Sequence, residues 1–357
     1  MTVIHLIPVD SLGGVEQAAR SLDPAMHKEL KVCFMSGESF SSKKYVRCLS
    51  PKKTVNSFSI YFKALAFLMK SKPKVLICSL WRSSLVGLIF KFLFRKKTNF
   101  VVFVHNTSYK HFVDKLITRI AFCFADYIWC DSRASYDFVA DKNNQCKVSV
   151  ISFFIKNSEG SSNERWNCKR TSNDFIYWGR LAPQKNIEAS IDIFLKYKSR
   201  HPDAKFHIYG IDSGALDAIK RKIKACNAEE SILLMGPKKP ESIPREAATS
   251  TFFINSSHHE GMAISVIEAM QAGLIPVVSP VGEIPSYCID GGNSIYIDPA
   301  DTSSSVDKIL YLVESEMLLN EIRHRAKITW EDACDYNSSL YDAYSKIITE
   351  VKFANVN

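Results

Sequence analysis

Residues 251–278 constrain the fold more than any other stretch of this chain. Thr251-Phe252-Phe253-Ile254-Asn255 reads as one strand and Leu274-Ile275-Pro276-Val277-Val278 as another. Between them runs His259-Glu260-Gly261-Met262-Ala263-Ile264-Ser265-Val266-Ile267-Glu268-Ala269-Met270-Gln271-Ala272-Gly273, a Gly-containing turn followed by an apolar helical pattern. The order strand, loop, helix, strand belongs to a parallel sheet, with the loop at the carboxyl end of a strand, where open α/β sheets bind ligands. Two glutamates stand eight positions apart, a spacing that on one continuous helix would set them on nearly the same face. Gly261 puts Glu260 in the loop ahead of the helix, so the two carboxylates would approach one ligand from different heights. The plain alternative is a surface helix with two solvated acids.

Eighty residues upstream, Phe175-Ile176-Tyr177-Trp178 leads into Gly179-Arg180-Leu181-Ala182-Pro183-Gln184-Lys185-Asn186, then a helical pattern carried by Ile187, Ile191, Phe194 and Leu195. A strand thus delivers Arg180 and Lys185 into a loop that opens a helix. Two cations beside the free N–H groups of a helix N-terminus suit a diphosphate. Apolar runs alternate with helical patterns along the rest of the chain as well. Strands are expected at Val3–Val9, Lys31–Met35, Val75–Ser79, Phe100–His105, Tyr127–Cys130 and Val148–Ser152, and then at Phe175–Trp178, Phe206–Tyr209, Ile232–Met235 and Ile295–Ile297. The polar stretch 158–173 reads as a linker. It separates an N-terminal α/β domain, 1–157, from a C-terminal one, 174–331, with 332–357 as a final helix returning to the first.

In combination, Gly179-Arg180, Lys185-Asn186 and the Glu260–Glu268 pair resemble the retaining glycosyltransferases of family 4. That resemblance implies the GT-B fold: two facing Rossmann-like domains with parallel sheets and a C-terminal crossover helix. Gly13-Gly14-Val15-Glu16 after the first strand looks like the family's glycine loop, and Trp330 with the helical stretch to Tyr344 looks like its closing segment. Two departures stand out. Ala263 occupies a position where the family often has a second glycine. The usual Asn-Gly pair at the domain junction is replaced by Ile151-Ser152-Phe153-Phe154.

The resemblance also implies roles. Glu268 would accept hydrogen bonds from ribose hydroxyls, and Arg180 and Lys185 would neutralise the diphosphate. Gly13 and Gly14 would admit backbone N–H groups to the same phosphates, and Glu260 would sit against the donor sugar. Gly261, Met262, Ala263 and Ile264 would complete the donor loop. His105, in Phe103-Val104-His105-Asn106, matches the family's N-domain histidine near the sugar; a purely structural histidine is the other reading.

Rival chemistries lack their signatures. There is no Asp-x-Asp to hold a catalytic metal, no Gly-x-Gly-x-x-Gly after the first strand, and no P-loop Gly-Lys-Ser/Thr. His258-His259 beside Glu260 are neighbours in sequence and diverge, so no metal and no cofactor are expected. Ten cysteines without a Cys-x-x-Cys suggest neither a zinc ribbon nor a disulfide framework, and fit a reducing cytosol. The longest apolar stretch, Ser83 to Phe94, is interrupted by Lys91, so no transmembrane helix is expected.

Charge is unevenly divided. Residues 1–155 carry 23 Lys and Arg against 10 Asp and Glu, a net of +13; the remainder carries 23 against 27, a net of −4, and together these make the +9 of the whole chain. No acid occurs from Ser39 to Val113, where Lys43-Lys44, Lys52-Lys53 and Arg95-Lys96-Lys97 are interleaved with aromatics from Tyr45 to Phe94. Basic residues mixed with aromatics suit an anionic bilayer surface. Nucleic acid is a rival partner, but no nucleic-acid motif accompanies the stripe. A solvated basic face over a packed core is the third reading.

The expectation is a retaining, metal-independent hexosyl-type transferase. It would take a nucleotide-sugar donor and a saccharide or polyprenyl-linked saccharide acceptor, in the cytoplasm on the inner face of the membrane, in bacterial surface polysaccharide synthesis. A nucleotide-sugar epimerase and a non-catalytic membrane- or partner-binding protein are the alternatives.

Overall fold

The computed structural model describes residues 2–11, 13–38, 43–93, 98–140, 147–156, 172–238 and 242–354. The chain divides into two compact units, one made of residues 1–155 and 334–357 and the other of residues 156–333.

The first unit is built on a seven-stranded sheet in the order β3-β2-β1-β4-β5-β6-β7, parallel throughout. Its strands are β1 (Val3–Asp10), β2 (Leu30–Gly37), β3 (Val46–Cys48), β4 (Val75–Ser79), β5 (Asn99–Val104), β6 (Tyr127–Cys130) and β7 (Lys147–Val150). The central strand β4 is buried at all five positions, as a strand covered by helices on both faces must be. Helices α1 (Gly14–Ser21), α2 (Phe58–Ser71), α3 (Leu80–Leu93), α4 (Phe112–Phe124) and α5 (Arg133–Ala140) make the crossovers. The edge strand β3 is absent from the sequence reading, because three residues of intermediate and exposed burial give no apolar run to detect. β5 ends at Val104, so His105 lies just beyond the strand rather than closing it.

The second unit carries a six-stranded parallel sheet in the order β10-β9-β8-β11-β12-β13. It comprises β8 (Phe175–Trp178), β9 (Phe206–Tyr209), β10 (Ile232–Gly236), β11 (Phe252–Asn255), β12 (Ile275–Val278) and β13 (Ile295–Tyr296). The chain winds outward from β8 to β10 on one side and from β11 to β13 on the other. The strand order therefore reverses between β8 and β11, and the loops leaving these two neighbours turn apart and open a crevice. Helices α6 (Ile187–Lys198), α7 (Leu216–Ala225), α8 (Ile243–Ala247), α9 (Ile264–Gln271), α10 (Ile284–Tyr287), α11 (Thr302–Val313) and α12 (Glu316–Ile328) cover the sheet.

The last helix, α13 (Tyr336–Ala354), belongs to the first unit. The Tyr336 N–H donates to the Phe154 carbonyl at 2.7 Å, and its ring stacks on Phe103. Tyr344 meets His27 Nδ1 at 3.1 Å, and Glu350 accepts from Tyr127 at 2.6 Å and from Lys147 at 3.1 Å. Most of the polar stretch read as a linker, residues 158–171, lies outside the described residues, as do Phe94, Arg95, Lys96 and Lys97. Among the aromatics of the basic stretch, Tyr45 and Phe90 are buried core residues rather than surface groups. Tyr45 donates to the Leu22 carbonyl at 2.8 Å, which accounts for its inward position.

Candidate functional site

In the second unit, Arg180 and Lys185 leave β8 while Glu260 and Glu268 follow β11, so all four hang from the two strands that flank the crevice. Many hydrogen bonds lace the two loops together. Gln184 donates through its side chain to the His259 carbonyl at 2.7 Å and accepts from the His258 N–H at 2.9 Å. Ser256 donates to the Asn186 carbonyl at 2.6 Å. Two buried tyrosines, whose hydroxyls burial keeps neutral, pin the loop carbonyls from below: Tyr177 donates to Arg180 at 3.1 Å and Tyr287 to Met262 at 2.8 Å.

Glu260 sits in the loop, as Gly261 suggested, and is only 7% exposed. Lys185 Nζ grips both of its carboxylate oxygens, at 2.7 and 2.8 Å, and Ser257 and Asn255 donate to Oε1 at 2.6 and 3.1 Å. Burial works against the charged carboxylate, but Lys185 and the two neutral donors outweigh it and hold Glu260 below the ordinary carboxylate range. Lys185 is therefore the ion-pair partner of Glu260 in this geometry. Arg180 is different: it is exposed, and its side chain has no hydrogen bond or ion pair among the described residues.

Glu268 lies on α9 with its Oε2 fixed by the Trp178 indole N–H at 2.8 Å. The helix opens at Ala263, which takes φ +52° and ψ 59°, a left-handed conformation that glycine adopts freely and alanine at a cost of about 1–2 kcal/mol. The alanine thus takes a backbone conformation that a glycine would adopt without strain. Gly282, at φ +61°, packs against the same loop so closely that a Cβ would lie 2.1 Å from the Glu260 carbonyl oxygen. Met262 and Ile264 flank Ala263. His258 and His259 are exposed, and no group of three metal-ligating side chains occurs among the described residues.

Sequence reasoning missed Asn255, Ser257, Trp178, Tyr287 and Gly282. The one signal available was Gly282 itself, a glycine in the Ser279-Pro280-Val281-Gly282 run beyond β12.

Gly13, Gly14 and His105 belong to the first unit. Gly13 caps α1 in an extended conformation, and a Cβ there would lie 2.4 Å from Glu16 Oε2. Arg20 pairs with Asp10 and donates to the Ser11 carbonyl at 2.7 Å, fixing this loop. Glu16 is buried, and burial raises its carboxyl above the ordinary value despite Ser11 and Arg20. It lines a cavity of about 310 Å³ together with His105, Asn106, Tyr109, Trp81 and Arg82. The Arg82 guanidinium lies over Trp81 at 4.4 Å. His105 is 9% exposed, and both of its ring nitrogens are engaged, Nδ1 by Asp131 at 3.2 Å and Nε2 by Ser79 at 2.9 Å.

Comparison with known proteins bears on the family and the fold. Residues 161–329 match the family of glycosyl transferases group 1. A poly(ribitol-phosphate) alpha-N-acetylglucosaminyltransferase of Staphylococcus aureus is 29% identical over 150 residues, 42% of this chain and 30% of that protein. A GDP-mannose:cellobiosyl-diphosphopolyprenol alpha-mannosyltransferase of Komagataeibacter xylinus is 24% identical over 147 residues, 41% of this chain and 37% of that protein. The matched region thus spans about a third of these curated relatives. Among solved structures, Anabaena Alr3699/HepE in complex with UDP-glucose superposes with a TM-score of 0.80 at 17% identity, covering 97% of this chain and all of that one. Sucrose-phosphate synthase from Thermosynechococcus elongatus does so with a TM-score of 0.77 at 13% identity, covering 99% of this chain and all of that one. The chain has the GT-B fold of these glycosyltransferases, and the match to glycosyl transferases group 1 falls on the unit that carries Arg180, Lys185, Glu260 and Glu268.

Proposed function

We propose that this chain is a retaining, metal-independent glycosyltransferase that moves a hexosyl group from a nucleotide-sugar to a saccharide acceptor. The observation that carries the reading is the laced pair of loops at the β8/β11 strand reversal, where an exposed arginine, a lysine–glutamate pair and a second, oriented carboxylate meet. In this reading Arg180 receives the diphosphate. Lys185 is shared between Glu260 and a phosphate as negative charge grows on the leaving oxygen. Glu268, held by Trp178, accepts from the ribose hydroxyls, while Glu260 faces the donor sugar. The departing phosphate takes the acceptor's proton on the face it leaves, so the reaction requires no strong protein base. The UDP-glucose bound by Anabaena Alr3699/HepE supports a nucleotide-sugar donor.

The acceptor side of the reading rests on the first unit. Its cavity offers an aromatic wall and several polar groups, a lining suited to a saccharide. Phe58 and Phe62 project one turn apart from α2, 83% and 73% exposed, and Phe112 is 76% exposed at the start of α4. Exposed Lys63, Lys70, Lys115 and Arg119 share these two helices. Apolar rings among cations fit a peripheral seat on an anionic leaflet, and with it a polyprenyl-linked acceptor of surface-polysaccharide synthesis. The K. xylinus relative's diphosphopolyprenol acceptor supports this. No helix among the described residues is long and apolar enough to cross a membrane.

The test is donor turnover across a panel of nucleotide-sugars with excess EDTA, with and without lipid-linked saccharides. Transfer with retained anomeric configuration, undiminished by EDTA, is expected. Donor converted without any acceptor would instead favour an epimerase, and strict dependence on Mg²⁺ or Mn²⁺ would overturn the metal-free chemistry.

A further inference from the structure

Four adjacent strands of the first sheet, β1, β4, β5 and β6, each deliver one residue to a continuous buried chain. His5 Nε2 lies 2.8 Å from Ser79 Oγ, Ser79 Oγ 2.9 Å from His105 Nε2, and His105 Nδ1 3.2 Å from Asp131 Oδ2. His5 and Ser79 are fully buried and Asp131 is 5% exposed. Leu80, next to Ser79, is held at φ +68°, a strained conformation for leucine that persists only where its surroundings enforce it. Ser83 and Ser84 bind back to the Ser79 and Leu80 carbonyls across that turn.

The direction of the chain follows from which atoms carry protons. A carboxylate only accepts, so His105 Nδ1 carries a hydrogen toward Asp131. In the neutral ring Nε2 is then an acceptor, which the Ser79 hydroxyl fills. The single Ser79 proton being spent, its oxygen accepts from His5 Nε2–H. His5 is left with a bare lone pair on Nδ1, which has no partner. The opposite direction would bury an unpaired N–H at that atom, and orphaned donors are rarer than under-used acceptors. Burial pushes the His5 imidazole down to about 3, which favours the neutral ring that this chain requires. Phe103 and Phe153 pack on the His105 ring with centroids 4.3 and 5.0 Å away, and Glu16 lines the same cavity.

We propose that Asp131 is a positioning residue that holds His105 in its Nδ1–H tautomer, with Ser79 filling Nε2 and passing the order on to His5, in the wall of the cavity where the acceptor saccharide binds. The functional half of this proposal rests on the transferase reading above; the tautomer half does not. Asp131 Oδ1 accepts from both Ser132 and Ser135, at 2.9 and 2.8 Å. In Asp131→Asn the amide oxygen keeps those two donors, and the NH₂ group is turned onto His105 Nδ1. The whole chain must then reverse: His105 becomes the Nε2–H tautomer and His5 the Nδ1–H tautomer.

Long-range ¹H–¹⁵N correlation spectra of the full chain at neutral pH test this, with His5→Gln and His105→Gln assigning the two rings. The wild type should show His105 as Nδ1–H and His5 as Nε2–H, and Asp131→Asn should exchange the two. Ser79→Ala should leave His105 unchanged, since Asp131 still fixes it. An imidazolium or Nε2–H form of His105 in the wild type, which needs no variant to fold, overturns the proposal. So do tautomers that ignore Asp131→Asn. In turnover assays Asp131→Asn should lower kcat about tenfold or more with the donor KM unchanged, because the carboxylate that orients the ring and sets its tautomer is lost. Reversed tautomers with full kcat would refute the positioning role. Failure of the wild type to transfer any sugar would count against the transferase reading, and the spectra would still decide the hydrogen-bond chain.

Discussion

At the scale of single residues, Arg180 and Lys185 separate two effects that the sequence could not. Arg180→Ala should lower turnover by about 10²-fold or more with little change in melting temperature, because the side chain is exposed and unpaired. Lys185→Ala should cost comparable activity and also about 3–5 kcal/mol of stability, since it strands the buried Glu260 charge. Thermal denaturation of the two variants beside rate measurements checks this; equal stability would mean that the ion pair does not hold the loop. The pair also carries a pH dependence. Glu260's carboxyl is depressed in the folded state, so its contribution is complete above the ordinary carboxylate value and is lost as pH falls below that value toward the folded one. Glu260→Gln should flatten the stability profile there. The charges themselves were readable from sequence, since cations and acids beside strand ends are conspicuous. Asn255, Ser257 and Trp178 were not, because an amide, a hydroxyl and an indole look ordinary until β8 and β11 lie side by side.

At the scale of elements, strands buried on both faces declared themselves. β4, β6, β8 and β9 appear with the boundaries that their apolar runs suggested. β3 escaped because it is short and lies at an edge. The turn into α9 was legible as a departure, but its conformation was not. Ala263→Gly should be near neutral, because relief of about 1–2 kcal/mol of left-handed strain is offset by losing a buried methyl group, about 0.8 kcal/mol, and by a more flexible unfolded chain. Ala263→Val has no such offset and should destabilise by about 2 kcal/mol or more, as denaturant titration would register. Gly282→Ala, forced against the Glu260 carbonyl, should displace the loop and cost donor affinity before it costs the fold. Unchanged nucleotide binding in that variant would show that the loop is indifferent to this contact.

At the scale of the molecule, the alternation of strands and helices announced two Rossmann-like halves. The hydrogen bonds of the final helix needed the structure, because nothing in Tyr336, Tyr344 or Glu350 names His27, Phe154, Tyr127 or Lys147 as partners. Tyr336 and Tyr344 are buried in the first unit, so Tyr336→Ala should cost about 3–5 kcal/mol, read as unfolding of that unit. Residues 1–155 alone should fail to fold cooperatively. That arrangement sets an order of events during synthesis. The first unit emerges from the ribosome early, yet its last helix is made only after all of residues 156–333. The first unit therefore waits, with the cleft that α13 fills still open, while the second unit can close. Until α13 is made, the apolar surface it will cover in the first unit is open to wrong partners.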